Sequence, residues 1–230
     1  MRENAGQRRG SAGVSRNGNG KMITHRKQGG GIEAGAVSGV AGGFGIDLEA
    51  TAVAAFVRLG ELFLEWNARI NLASLRNPAE LVERHFIDAF AAARFVGGAA
   101  TVADVGSGGG LPGLPLAILA GTTHFDLFEP NRKKAAFLRT AVRELGMTSR
   151  VEVRTTAVES PVEPEVRGTY DVALSRATLA PAKWLSLGRE LVRVTGRVLV
   201  FATVHSEVGL PPPAEVVAYG ENRRLLVYPA

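Results

Sequence analysis

Five glycines fall between positions 106 and 113, in the run Asp104-Val105-Gly106-Ser107-Gly108-Gly109-Gly110-Leu111-Pro112-Gly113. A corner in the chain does not need that density. Glycine has no Cβ, so it turns sharply through left-handed φ and lets the main chain come up against a ligand. The next apolar run, His124 to Phe128, ends at Glu129. A carboxylate there has lone pairs for both hydroxyls of a ribose. Loop and carboxylate together suit a ligand that carries adenosine.

Two ligand classes share this layout. Gly108-x-Gly110-x-x-Gly113 satisfies the dinucleotide fingerprint. That match is out of register, because the apolar strand before the loop ends at Val105. The first glycine of the turn is then Gly106, and Leu111 stands where a third glycine belongs. The order Asp104-x-Gly106-x-Gly108 points instead to S-adenosylmethionine, with Asp104, Gly106, Gly108, Gly110 and Leu111 around it. A nicotinamide-dependent oxidoreductase would also want a Tyr-x-x-x-Lys pair or a second substrate domain, and the sequence offers neither.

Other chemistries are bounded by composition. The chain has no cysteine, which removes disulfides, thiolate metal sites and thiol catalysis. Its four histidines, His25, His85, His124 and His205, lack ligand-like spacing, so no metal is expected. No run approaches the length of a membrane span. The net charge of +5 raises the prospect of a nucleic-acid partner, although much of it sits near the N-terminus.

The loop must be held by a sheet. Thr101–Val105, His124–Phe128, Val151–Arg154, Tyr170–Leu174, Arg197–Phe201 and Leu225–Tyr228 read as strands. Residues 112–119, 133–145 and 182–194 read as helices between them. This alternation implies parallel strands and right-handed crossovers, with ligands bound beyond the carboxyl ends of the strands. The expected fold is a Rossmann-like α/β domain with a mostly parallel twisted sheet over residues 99–230. Before it, residues 46–98 read as a small helical element. One helix there is capped by Asp47 and carries Val53, Phe56, Leu59, Leu62, Phe63 and Trp66. A second opens at Asn77-Pro78 and stops at Gly97-Gly98. Residues 1–45 are glycine-rich and basic, with few periodic apolar positions, and are expected to be disordered. They read either as a solvated tail or a misplaced start, or as a basic arm adding phosphate contacts.

Phe63-Leu64-Glu65-Trp66-Asn67-Ala68-Arg69-Ile70-Asn71-Leu72 is followed by Arg84-His85-Phe86-Ile87-Asp88, by the glycine loop, by Glu129-Pro130-Asn131-Arg132-Lys133-Lys134 and by Ser175-Arg176-Ala177. In this order the segments resemble the RsmG (GidB) family, which methylates N7 of a guanosine in bacterial 16S ribosomal RNA. The resemblance covers residues 47–203. It implies S-adenosylmethionine as cofactor, ribosomal RNA or the small ribosomal subunit as partner, a cytoplasmic location and a monomer. It also implies that Gly106 and Leu111 touch the cofactor, that Glu129 and Pro130 take its ribose, and that Val158 and Glu159 lie beside its adenine. Arg176, Arg84 and His85 would face the substrate mouth. The family's lysine-glycine pair after the strand ending at Phe201 is replaced here by Ala202-Thr203, and Pro211, Pro212 and Pro213 follow. That departure leaves a second reading: a cofactor-binding protein that no longer transfers methyl groups.

Guanine N7 has a lone pair and no proton, so in-line attack on a sulfonium methyl needs no general base. Arg176 and His85 are therefore expected to position the base rather than move protons. Arg176 alternatively forms a structural ion pair with Asp104 or Glu129, and His85 alternatively belongs to the core. Arg132, Lys133 and Lys134 open a helix, where cations oppose the macrodipole. They read either as an RNA-phosphate contact or as a solvated face.

Overall fold

The computed structural model describes residues 14–16, 22–24, 31–207 and 209–230. Strands β1 (Val14–Arg16) and β2 (Met22–Thr24) pair antiparallel in a unit of their own. The second unit begins at Gly31 and runs to the C-terminus. It starts with α1 (Ala34–Gly42), α2 (Ala50–Ile70) and α3 (Ala79–Leu81). A π-helical turn (Val82–Phe86) carries α3 into α4 (Ile87–Val96). Then follow β3 (Thr101–Val105), α5 (Gly113–Leu119), β4 (His124–Phe128), α6 (Arg132–Glu144), β5 (Val151–Arg154), β6 (Tyr170–Ser175), α7 (Pro181–Leu191), β7 (Val192–Thr203), β8 (Glu215–Tyr219) and β9 (Arg223–Pro229).

The last seven strands form one sheet in the order β5-β4-β3-β6-β7-β9-β8, parallel as far as β7 and antiparallel at β9 and β8. Side chains alternate across it, as the strand period dictates. Val102, Phe125, Leu127, Val172, Leu174 and Leu199 share a core with Phe56, Phe63, Phe90, Leu114 and Phe137 of the helices. Ala103, Val105, Phe128, Ala173, Val198 and Val200 face Trp184, Leu187 and Leu191 of α7. The N-terminal helices therefore close one face of the sheet. The chain runs outward from β3 through β4 to β5, then returns to the other side of β3 as β6. That reversal opens a crevice beyond the carboxyl ends of β3 and β6.

Four expectations need correction. Residues 34–42, inside the segment expected to be disordered, form α1, with Val37 and Ala41 fully buried. Small residues carry little hydrophobic signal, and the anchor is Ile32 just before the helix: a Cβ on Gly60 of α2 would stand 2.2 Å from its Cγ1. The rest of the expected tail, apart from β1 and β2, lies up to residue 30 outside the described residues. Asp47 does not cap α2, whose N-cap position is Glu49 with no side-chain cap bond. The helix over 182–194 ends at Leu191, and β-branched Val192 already pairs with Tyr170 in β7. A register shift between Tyr170 and Val172 then absorbs the residues up to Arg197. The proline-rich stretch also contains an unforeseen strand, β8, an edge strand joined to β9 by a turn at Gly220, φ +57°.

The second expected helix does open at Asn77, whose Oδ1 accepts the N–H of Glu80 at 3.2 Å. It is broken by the π-helical turn, a local widening of the helix often found at functional sites. That turn carries Arg84 and His85.

Candidate functional site

The glycine loop is laced to the end of β4. Phe128 O accepts the N–H groups of Gly106 (2.8 Å) and Ser107 (3.0 Å). Glu129 Oε2 accepts Gly108 N–H and its Oε1 accepts Asn131 N–H, both at 2.8 Å. Each carboxylate oxygen keeps a further lone pair, and the residue is only 6% exposed. Gly106 has φ +72°, and a Cβ on it would stand 2.4 Å from Thr178 Oγ1. A side chain here would be both strained and obstructed. Asp104 lies beneath the loop, fully buried, and burial pushes its carboxyl up to about 7, with Ser107 and Arg176 pulling the other way.

Two cavities meet over this loop. One, of about 500 Å³, is lined by Val105, Gly106, Phe128, Val158, Glu159 and Lys183 among others. The second, of about 380 Å³, is lined by Gly106, Gly108, Leu111, Glu129, Lys134 and Arg176 among others. Gly106, Pro130 and Thr178 line both. The pair is a cleft of ligand size, bent around the loop at the crevice that the strand order creates. Leu72 and Ala73, just past α2, also line the second cavity. Asn67 Oδ1 holds Ala73 N–H there at 2.8 Å, and Asn71 ends α2 in the left-handed conformation, φ 53°. The Asn67-to-Leu72 motif therefore sets Leu72 and Ala73 in the wall of the site.

Arg176 follows β6 at the rim, 20% exposed. Its Nη1 donates to Asp88 Oδ2, so its ion pair is with Asp88, not with Asp104 or Glu129. Its Nη2 lies 3.0 Å from His85 Nδ1. A guanidinium only donates, so Nδ1 is the acceptor and the ring proton sits on Nε2. Burial, and then the neighbouring Arg176, hold His85 down to about 4. The next residue, Ala177, has φ 56°, an unfavourable conformation that aims Thr178 back at the loop, where its hydroxyl donates to Gly106 O at 3.2 Å.

Of the residues singled out from sequence, Gly106, Gly108, Leu111, Glu129, Pro130, Val158, Glu159, Lys134 and Arg176 line the joined cavities. Asp104 and Gly110 support the loop from below: a Cβ on Gly110 would meet Leu114 at 2.4 Å. His85 reaches the site through Arg176. Arg84 is exposed and paired with Glu80 at 3.3 Å. Arg132 and Lys133 are exposed at the start of α6, outside the lining of both cavities. Asn131 caps that helix, accepting N–H from Lys133 (3.0 Å) and Lys134 (3.2 Å). Sequence reasoning missed Thr178, Lys183 and the acidic partner Asp88. Thr178 had a usable signal, standing two residues beyond Arg176. Ala202 and Thr203, where the lysine-glycine pair is missing, end β7 opposite Arg224 and Arg223 of β9.

Sheet order, glycine loop, strand-end carboxylate and the bent cleft define an S-adenosylmethionine-dependent methyltransferase on a Rossmann-like sheet. The residues present fit that cofactor: a Cβ-free cradle at Gly106, free carboxylate lone pairs on Glu129 and a mainly apolar cavity beside Val158. The family model for rRNA small subunit methyltransferase G, GidB, matches residues 52–210. The ribosomal RNA small subunit methyltransferase G of Anaeromyxobacter dehalogenans (strain 2CP-C) is 36% identical over 157 residues, 67% of this chain and 71% of that one. That of Xanthomonas campestris pv. campestris (strain 8004) is 37% identical over 193 residues, 78% and 88% of the two chains. A methyltransferase from Geobacter sulfurreducens shares the fold, with a TM-score of 0.53 and 14% identity over 75% of this chain and 89% of that one. The chain belongs to the rRNA small subunit methyltransferase G family. The readings as an oxidoreductase or as a degenerate binding protein are not favoured. Among the described residues no helix is long and apolar enough to cross a membrane.

Proposed function

We propose that this chain transfers a methyl group from S-adenosylmethionine to N7 of a guanosine in 16S ribosomal RNA, free or within the small ribosomal subunit. The observation that carries this reading is the joining of two cavities at Gly106, Pro130 and Thr178, with Arg176 on the rim of the second. The cofactor supplies an electrophilic methyl. Asp104, Gly106, Gly108, Gly110, Leu111, Glu129, Pro130, Val158 and Glu159 form its cradle. Arg176 positions the guanine, and His85, neutral and occupied by Arg176, orients the arginine rather than accepting a proton. Arg84, Lys134 and, farther out, Arg132 and Lys133 contact RNA phosphates. Rate then comes from proximity and orientation, which suits a nucleophile that carries no proton. The substrate class supports a cytoplasmic location.

The test is transfer of radiolabelled methyl to ribosomal RNA that lacks the modification, as naked RNA and as subunits. Label is expected in 7-methylguanosine and is expected to vanish in Gly106→Asp. Absence of transfer to both substrates with cofactor binding intact would overturn the reading.

A further inference from the structure

Asp88 on α4 is 3% exposed, yet it carries two cations. Its Oδ2 accepts from Arg176 Nη1. Its Oδ1 accepts from Tyr219 Oη at 2.8 Å and from Arg223 Nη1 at 2.9 Å. Tyr219 ends β8 and Arg223 opens β9, so this buried carboxylate ties the C-terminal hairpin to α4, in addition to the exposed Arg94–Glu215 ion pair between the same helix and β8. Arg223 Nη1 also donates to the carbonyl of Arg84 in the π-helical turn.

A tie between hairpin and helix needs only one of these bonds. Two guanidiniums on one carboxylate leave the cluster with an excess positive charge. That excess sits at the carboxyl edge of the sheet, because Arg223 pairs with Thr203, the last residue of β7. Arg176 follows β6 at the same edge, two strands from β9 with β7 between them. Arg223 is 30% exposed on its side chain. Its Nε and Nη2 groups make no hydrogen bond among the described residues and remain available to an anion. Arginine presents such donors as a fork that matches phosphate.

We propose that Asp88 is a positioning residue for methyl transfer, orienting Arg176 at the rim of the cleft and Arg223 of the β8–β9 hairpin toward the RNA backbone as one unit. This rests on the RNA-methylating reading above. Removing the carboxylate leaves two guanidiniums on either side of one position with no counter-charge between them, so Arg176 leaves its place although it is itself unchanged.

The full chain is compared with Asp88→Asn, Asp88→Glu and Arg223→Gln. Cofactor affinity, kcat and KM for ribosomal RNA, and RNA binding across a salt series are measured at a temperature where circular dichroism shows each variant folded. Asp88→Asn is expected to lower kcat by about tenfold to a hundredfold, the cost of a small misplacement of a positioning group, with partial rescue in Asp88→Glu. Arg223→Gln is expected to raise KM for RNA with kcat retained. Its plot of log binding constant against log salt is expected to flatten by about 0.7 to 0.9, one phosphate contact. A folded Asp88→Asn with wild-type kcat and KM, or an unchanged salt slope in Arg223→Gln, overturns the proposal. Should Asp88→Asn fail to fold, the salt slope of the surface variant decides. A wild-type chain that binds RNA without methylating it would overturn the functional reading instead, and the salt slope, read from binding alone, still tests Arg223.

Discussion

A Cβ on Gly109 would stand 2.6 Å from Cε2 of Phe63, so the glycine loop rests directly on the ring of an α2 residue. Phe63 cannot yield: it is fully buried and packs edge-on against Phe137 of α6, with ring centroids 5.9 Å apart. The N-terminal helices are thus a support for the loop as well as a cover for the sheet.

Gly109→Ala should therefore act by steric displacement alone, since Gly109 lacks the positive φ of its neighbours Gly108 and Gly110. Overpacking of this kind costs about 1 to 3 kcal/mol, and the loop is the part free to move, so cofactor affinity should fall with stability. Calorimetric titration with S-adenosylmethionine and urea unfolding measure the two effects. Shortening the ring in Phe63→Leu, combined with Gly109→Ala, should restore affinity. A Gly109→Ala protein that binds cofactor normally would mean that α2 does not set the loop.

How much of this was legible follows the range of each signal. The glycine loop and Glu129 lie at strand ends whose period-two apolar runs are local, and they stand out in the sequence. Helix α1 did not, because a Gly-Ala-rich segment gives no hydrophobic period although its Val37 and Ala41 are fully buried. Strand β8 is a half-exposed edge strand after three prolines, with Val216 46% exposed, and reads as loop. Asp88 was visible in its motif, but its role was not. Its partners lie 88 residues away at Arg176 and 135 away at Arg223, and an ion pair across that distance leaves no local pattern.

Lys133 and Lys134 look alike in sequence but differ in place. Lys134 is half-buried and lines the second cavity, while Lys133 is exposed outside the lining of both. Lys134→Glu should therefore weaken binding of ribosomal RNA more than Lys133→Glu. It should also raise KM for RNA, since a carboxylate would face phosphate at the mouth of the cleft. Neutral Lys134→Ala should flatten the salt dependence by about 0.7 to 0.9 in slope, one phosphate contact. Fluorescence anisotropy of a labelled RNA fragment across a salt series measures both. Equal effects of the two reversals would place RNA on the outer face of α6 instead.

Asp104 makes stability depend on pH in a direction opposite to the usual carboxylate. Its Oδ2 has no hydrogen-bond partner among the described residues, and a Cβ on Gly113 would stand 2.3 Å from that oxygen, so no larger group fits beside it. Burial raises its folded pKa to about 7, whereas an unfolded aspartate titrates near 3.9, about the peptide value. Between those values the folded state binds more protons than the unfolded state, so this group's contribution falls as pH rises from about 4 to about 7. The stabilisation is fully present below the unfolded pKa and is lost as pH passes through the folded one. Asp104→Asn keeps the shape and removes the titration. Its stability relative to the wild type should climb across that window and level off above it. The climb should reach at most about 4 kcal/mol, since a proton held across roughly three pH units contributes about 1.36 kcal/mol for each. Urea unfolding of both proteins, without cofactor, at pH 4.5, 6 and 7.5 would reveal the trend; a difference constant with pH would mean that Asp104 ionises as an ordinary carboxylate beneath the loop.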